Sequence, residues 1–526
     1  MADISNEYHV RLNKLADLRA QGNVPYAARY ERTHTAKQAL ELVGELRSAE
    51  EIIKKKAKKT LKLCGRVMAL REHGRLSFGH LQDIDGKIQI CFMEDVLGKD
   101  KYKFLRKFDI ADFIGVEGEL FKTRHGETTL MVYDFVMLSK TLRPLPEKWH
   151  GLTNREDIYR QRYLDTTMSR ESFDRFVFRS NLIKTLREFY WSEGFVEIET
   201  PVLENVSSGA AAKPFVTHHN ALDIDVYLRI AAGELWQKQA IAGGFEKTFE
   251  VARCFRNEGI DPSHLQEFTM VEHYAAYWDY EDNMNFTEKM LVYILKKLIG
   301  TTKVKIKDRD GKEVDIDFKP PWPRVKFTDL IKKDCGIDVL KFDDAKSLLA
   351  EIKKKKIFIE DADDLGYGNL VDALYKKVSR PKLIQPTFVI QHPVSTKPLA
   401  RKNDDDPRVC DTFQLLVNTW EIVNAYGEII DPIDQRERFE KQALAKAQGD
   451  EEAMMINEDF LTAMEHGFPC MSGWGMGIDR LITLLTGQEN VKDSVLFPLL
   501  KPLEETVRKE KKALEKAKEI VKKGKK

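Results

Sequence analysis

The six cysteines, Cys64, Cys91, Cys254, Cys335, Cys410 and Cys470, form no CxxC pair, so neither a zinc knuckle nor a disulfide framework is indicated. No apolar stretch approaches the length that spans a bilayer. The start, MADISNEYHV, lacks a basic region followed by an apolar run, so no export signal is expected and a reducing cytoplasm is the expected location. A global charge of one sign is also missing. With 85 basic against 84 acidic residues, any contact with nucleic acid must come from local patches. The GxxxxGK[ST] phosphate loop is absent as well. What is present is length and a mixed surface. A chain of 526 residues exceeds what one core organises, and 42% hydrophobic with 32% charged residues excludes disorder throughout.

The pattern over 1–60 is helical, with Leu12, Leu15 and Leu18 at three-residue spacing and a later lysine cluster (Lys54 to Lys56, Lys58, Lys59). That cluster reads as a solvated face or as an RNA-facing helix. Over 61–142 the character changes to short β-rich runs, LKLCGRVMAL, RLSFGHLQD, KIQICF, DFIGVEGELF and TTLMVYDFVML. They are broken at turn signals such as Asp85-Gly86 and His125-Gly126, which predicts a small closed barrel. RPLP (Arg143 to Pro146) opens a stiff linker over 143–152, because proline fixes φ and cannot continue a ladder. From 153 to 500 helices and strands mix without regular β-α-β alternation, so the expected class is α+β around an antiparallel sheet with flanking helices. The stretch from about Thr302 to Pro386, with a DxDG-like turn at Asp308 to Gly311, reads as part of this domain and as containing an insertion. The tail, 501–526, holds eleven Lys/Arg and five Glu, which fits a solvated terminal helix or an electrostatic arm.

The chemistry concentrates in TFEVARCFRNEGIDPSHLQEFTMVEHYAAY, Thr248 to Tyr277, which reads as strand, polar loop, strand. Strand geometry puts Cys254, Arg256 and Glu258 on one face, and Phe268, Glu272 and Tyr274 on one face across the loop. Taken singly, each of these residues fits an amphipathic hairpin facing solvent. Together with a histidine-bearing loop they converge arginine, carboxylates and aromatics on one sheet surface. WEIVNAYGE, Trp420 to Glu428, repeats the pattern: Asn424, Tyr426 and Glu428 recur at period two. Glu421 is out of phase with Asn424, so a bulge or bend is needed to bring both to one face. His218 and His219 are adjacent without a ligand set at metal spacing and read as structural or hydrogen-bonding residues rather than zinc ligands.

FRNE at Phe255 to Glu258 followed by EFT at Glu267 to Thr269 is similar to motif 2 of the class II aminoacyl-tRNA synthetases. GFVEIETPVL (Gly194 to Leu203) resembles motif 1 and GWGMGIDRL (Gly473 to Leu481) resembles motif 3, all in the order that family requires. The residues of Trp420 to Glu428 match the lysine-specific members, and RLSFGHLQDIDGKIQI resembles their OB-fold anticodon-binding domain.

The resemblance implies ATP-dependent joining of L-lysine to tRNA(Lys) through a lysyl-adenylate, by a homodimer with motif 1 at its interface and Pro201 fixing its strand. Neither DNA nor membrane is implied as a partner. Arg256 would contact the α-phosphate and the lysine carboxylate, Phe268 would stack on adenine, and Glu258 would hold the base edge. His264 would approach the phosphates and Arg480 would grip the other end of ATP. Arginine suits both places because its planar fork matches phosphate oxygens and stays charged. For lysine, Glu428 would meet the ε-ammonium and Tyr426 the aliphatic stem. Tyr274 and Glu272 would complete the pocket, Asn424 would lie near the carboxylate, and Gly209 and Glu234 near the α-amino group. AAGEL at Ala231 to Leu235 is one residue longer than the family's APEL. Glu421 resembles a ligand for Mg2+, but its partner position, commonly glutamate, is Gln414, which offers an oxygen without charge. In the barrel Phe78 would stack on an anticodon base while His80, Gln89 and Glu127 read base edges; on period alone Phe78 also fits barrel core.

Two other readings share part of this pattern. A ligase for aspartate or asparagine has the motifs but no use for Glu428 opposite Tyr274, since a second substrate carboxylate would be buried without a cation. A non-catalytic RNA-binding paralogue would keep the barrel while losing ATP residues; Gln414 is such a change, whereas Arg256, Glu258 and Arg480 are not.

Overall fold

A computed structural model describes residues 2–42, 46–54, 60–146, 152–206, 209–210, 212–308, 311–397, 399–447, 454–504 and 507–515. Lys55, Lys56, Lys58 and Lys59, the centre of the 143–152 linker, positions 309–310 of the DxDG-like turn, and 516–526 of the basic tail lie outside the described residues. The chain divides into two units, Met1–Thr153 and Asn154–Lys526.

In the first unit β1 (Leu61–His73), β2 (Leu76–Gln82), β3 (Lys87–Met93), β4 (Phe113–Lys122) and β5 (Thr128–Ser139) close a barrel in the order β1-β2-β3-β5-β4. It is an OB-fold barrel. The alternation is read directly: in β2 Ser77, Gly79 and Leu81 are buried while Phe78 and His80 point outward and are half-buried. Leu63, Val67, Ile88, Ile90, Val116, Leu130 and Val132 fill the interior. The helix Ala2–Ala20 precedes the barrel in the same unit. It buries Leu15 and Leu18, whereas Leu12 remains exposed, so the three leucines do not form one buried stripe.

The second unit is built on an eight-stranded sheet. In chain order its strands and their neighbours are β6 (Val196–Glu197), β7 (Leu203–Glu204), β8 (Val216–His219), β9 (Ile224–Leu228), β10 (Lys247–Phe255), β11 (Glu267–Ala276), β12 (Lys303–Lys307), β13 (Glu313–Asp317), β14 (Arg324–Lys326), β15 (Thr387–Ile390), β16 (Thr412–Val417), β17 (Trp420–Gly427) and β18 (Met471–Gly477). The large sheet runs β14-β15-β16-β17-β18-β11-β10-β6, while β7-β9-β8 and β12-β13 form smaller sheets. Its six central strands are antiparallel, as expected for this class, and only the edge pairs β14/β15 and β6/β10 are parallel.

The two sheet faces have opposite characters. Val271, Ala275, Val423, Ala425, Trp474 and Met476 face a core supplied by the helices Arg170–Ser192 and Tyr280–Leu298. Within that core His273 lies between Tyr190 Oη (2.8 Å) and Asn283 Oδ1 (2.7 Å), and Asn283 donates to Ser472 Oγ. Burial depresses the His273 imidazole to about 3, so it is neutral and bridges the two partners with one ring N–H. Residues 302–386 form the β12-β13 hairpin, β14, and the helices Phe327–Cys335, Ala345–Lys354 and Tyr367–Val378, which have their own core around Phe327, Ile331, Leu348, Leu370 and Leu374. No helix among the described residues is long and apolar enough to cross a membrane.

Candidate active site

The opposite face of the large sheet lines a cavity of about 410 Å³, within the size range of small-molecule sites. β11 contributes Phe268, Met270, Glu272 and Tyr274, β17 contributes Glu421, Asn424 and Tyr426, and β18 between them contributes Gly473 and Gly475. Period two puts bulk on the core side of β18 and none on the cavity side. The reason is contact: a Cβ on Gly473 would fall well inside van der Waals distance of Glu428 Oε1 and the Tyr274 ring.

β17 reaches the cavity with residues of both phases because it carries an irregularity. Leu415 pairs with Val423 but Leu416 pairs with Glu421, so Ile422 is the extra residue of a bulge, and Glu421 and Asn424 both line the cavity. Gln414 pairs across the ladder with Asn424 but is not among the lining residues. It is buried, and His392 Nε2 lies 3.2 Å from its Oε1. Burial and then Lys397 hold His392 well below the usual imidazole range, so its Nε2 donates as a neutral group.

One end of the cavity is acidic and closed. Glu234 begins the helix Glu234–Ala242 after Gly233, whose φ of +72° and close approach to Thr200 require glycine, and it turns its carboxylate inward. Lys238, one turn later, sits at 2.8 Å from Glu234 Oε1 and 2.5 Å from Glu428 Oε2, and 5.6 Å from the Tyr274 ring centroid. Tyr426 Oη donates to Glu234 Oε1 at 3.0 Å. Burial works against the Lys238 charge, but Glu234 and Glu428 more than reverse it and hold the ammonium above its usual range. Lys238 escaped the reading of the sequence. Its signal was the i,i+4 spacing from Glu234, which on any surface helix means only an ordinary ion pair. Two carboxylates, Glu234 and Glu428, thus share the resident Lys238, and Glu272 stands near Glu234 as a third acid outside that pairing. Glu272 Oε2 and Glu428 Oε1 are buried without a hydrogen-bond partner, a costly arrangement unless a cation arrives.

Burial first, and Glu234 second, push the Glu272 carboxyl from 4.5 up to about 8. Burial raises Glu428 too, against the pull of Lys238. In the folded chain Glu272 therefore holds a proton that the unfolded chain has lost, so its contribution to stability is full below the ordinary value and is lost as pH rises through about 8. A cation entering beside Glu272 must expel that proton. We predict that affinity for a substrate ammonium rises between pH 6 and 8, by up to about tenfold per unit, with one proton released. Calorimetry in two buffers of different ionisation enthalpy counts the proton; binding without release would remove Glu272 from the charge balance.

The other end is basic. β10 ends at Phe255, so Arg256 lies just beyond it, tied by its backbone N–H to Gln266 O and by Nε to Ile230 O (3.2 Å), with its guanidinium 5.2 Å from the Phe268 ring centroid. Glu258 is in the loop rather than on the strand, and lines the cavity. His264 bridges Asp261 Oδ2 (2.6 Å) and Arg480 Nη2 (2.9 Å), while Arg480 Nη1 donates to Glu421 O at 3.2 Å. Asp479 accepts from Thr269 N at 2.7 Å and pairs with Arg179, which fixes the helix carrying Arg480 against β11. Gly209, at φ +94°, lies against Glu234 at the acidic end.

A family model described as tRNA synthetases class II (D, K and N) matches residues 154–501. The chain belongs to the class II tRNA synthetases. A second model, an OB-fold nucleic acid binding domain, matches residues 61–138 of this synthetase. It is 45% identical over 493 residues to a lysine–tRNA ligase of Carboxydothermus hydrogenoformans, covering 94% of this chain and 97% of that one. A lysine–tRNA ligase of Thermosipho africanus is 44% identical, with 94% and 95% covered. One from Bacillus cytotoxicus is 42% identical, with 95% and 98% covered.

On the barrel, the outward face of β2 and its neighbours gathers the remaining residues singled out above. His80 pairs across the ladder with Gln89, whose Nε2 donates to Glu127 Oε2 at 2.7 Å and whose Oε1 accepts from Thr129 Oγ1 at 2.6 Å; His80 Nε2 is 3.9 Å from Glu127 Oε1. Phe78 lies outside the barrel core, against a satellite cluster that includes Cys91 and Phe121. His218 and His219 make local hydrogen bonds, His218 to Asp225 and His219 to the Leu222 backbone. Among the described residues no group of three or more His, Cys, Asp or Glu is placed to hold a metal ion, and the six cysteines are unpaired.

Proposed function

We infer that the chain is a lysine–tRNA ligase that activates L-lysine with ATP and transfers it to tRNA. The observation that carries the reading is the charge pattern of the cavity. Glu234 and Glu428 share the buried Lys238 ammonium at the acidic end, Glu272 adds a third buried carboxyl near Glu234, and Arg256 and Arg480 line the other end. A substrate with two ammonium groups brings that end close to neutrality, and its own carboxylate then faces the basic end. Aspartate cannot do this. The reaction needs positioning and positive charge rather than a nucleophilic side chain, because the lysine carboxylate attacks the α-phosphate in line and pyrophosphate leaves.

In this reading Glu428 Oε1 receives the ε-ammonium along the stem-binding Tyr426 and Tyr274, and Glu234, Glu272 and Gly209 surround the α-ammonium. Asn424 and Arg256 meet the carboxylate. Phe268 stacks on adenine, Glu258 holds its edge, and His264 and Arg480 hold the phosphates. Mg2+ supplied with ATP would neutralise phosphate charge, and Glu421 is the acid that would hold it. The donors at this position do not fit a tightly held resident ion, since Gln414 is neutral and turned to His392. A homodimer through motif 1 is supported by the exposed apolar side chains Val196, Val202 and Leu203 beside Pro201; sedimentation velocity decides it. The cytoplasm is the fitting compartment for a chain with unpaired cysteines. Residues 61–142 serve the tRNA anticodon and 153–500 the chemistry.

ATP–pyrophosphate exchange with each of the twenty amino acids in turn tests the function; exchange with lysine alone is expected, and exchange with aspartate or with none would overturn it. For Phe78→Ala we expect normal exchange but weaker tRNA charging, since one stacked base is worth roughly 1 to 3 kcal/mol. Loss of both activities would mean that Phe78 supports the fold.

A further inference from the structure

The middle of the cavity carries a cation that none of the three motifs contains. Lys397 follows the short turn Val394–Thr396 and lines the cavity, and its Nζ donates to Asn424 Oδ1 at 2.9 Å. Unlike Lys238, which two carboxylates neutralise at contact distance, Lys397 hydrogen-bonds a neutral amide and acts on the Glu421 carboxylate only through its field, with no ion pair of 4 Å or less among the described residues. Its place along β17 is informative. Glu421, whose carbonyl holds Arg480, lies on one side of Asn424, and Tyr426, which leads to Glu428, lies on the other. Lysine seated at the Glu428 end and ATP seated at the Arg480 end must therefore meet at the level of Asn424. No acid of β16 neutralises the ammonium there, because the residue opposite Asn424 is Gln414.

We propose that Lys397 is a catalytic residue of adenylate formation, its ammonium binding the α-phosphate oxygens where the lysine carboxylate attacks. This rests on the lysine–tRNA ligase reading. In the step, a carboxylate oxygen bonds to the α-phosphorus as the bond from that phosphorus to the bridging oxygen breaks. Pyrophosphate departs with the electron pair. Lys397 exchanges no proton. It stabilises the charge spreading over the phosphate oxygens and supplies, from a side chain, positive charge that an ion held between positions 414 and 421 could otherwise bring.

The test compares the full chain with Lys397→Met and Lys397→Arg. Single-turnover adenylate formation at saturating lysine and ATP is expected to slow about 100-fold in Lys397→Met and to stay within about tenfold of the parent in Lys397→Arg. Binding of α,β-methylene ATP without lysine, followed by calorimetry in EDTA, is expected to weaken about tenfold in Lys397→Met only. Unchanged rate and binding in Lys397→Met would overturn the assignment. So would equal losses in both variants, which would mean that shape rather than charge matters. Analogue binding needs no lysine, so a parent that shows no lysine-dependent exchange would sink the ligase reading while leaving this comparison decisive for Lys397.

Discussion

Glu428→Gln is expected to raise the lysine concentration for half-maximal ATP–pyrophosphate exchange by about 100-fold while moving the ATP requirement by less than about twofold. Glu428 Oε1 is buried without a hydrogen-bond partner, so glutamine keeps the shape while removing the charge that the proposed function assigns to the ε-ammonium and that Oε2 shares with Lys238. Breaking one side of a buried charge pair costs about 3 to 5 kcal/mol, and each 1.4 kcal/mol is tenfold. The lower end applies because the remaining acids, Glu234 and Glu272, share the pocket field. Lys238 keeps Glu234 as its partner at 2.8 Å, so the fold is retained. An unchanged lysine requirement, with ATP dependence also unchanged, would remove Glu428 from the pocket.

Gly473→Ala should also impair lysine use, for a steric reason. The added methyl collides with Glu428 Oε1 and the Tyr274 ring, and both neighbours are fixed because β18 is hydrogen-bonded to β11 on one side and β17 on the other. The carboxylate must move or the strands must part, and overpacking of this kind costs about 1 to 3 kcal/mol. We expect lysine-dependent exchange to fall by about 5- to 100-fold and the thermal midpoint to drop, with nucleotide binding at the Arg480 end retained. Exchange at the parental lysine requirement would show that the glycine is there for the backbone alone.

The two variants probe different layers of legibility. Glu428 was visible because side chains alternate along a strand, so WEIVNAYGE announces which of its residues share a face. The same rule, applied to EFTMVEHYAAY, separated Phe268, Glu272 and Tyr274 from Val271, His273 and Ala275 before any partner strand was known. The need for a bulge near Glu421 was also legible, as a phase conflict, although its location at Ile422 was not. Phe78 was ambiguous because alternation gives two faces without saying which is inside; the barrel's closure decided it.

Lys238 and Lys397 were not legible at all. Each is one lysine among many, and its meaning lies in what it touches: Glu428, 190 residues beyond Lys238, and Asn424, 27 residues beyond Lys397. The sequence by itself determined the order of the two units, the faces of the strands and the acidic character of one end of the cavity, because these follow from local periodicity and residue chemistry. Only the tertiary structure decided which cations sit among those acids, which carboxylate oxygens are left unpartnered, and why β18 needs glycine at 473. Those depend on strand register and burial, which bring distant segments into contact and make a charge costly or stabilising according to its neighbours.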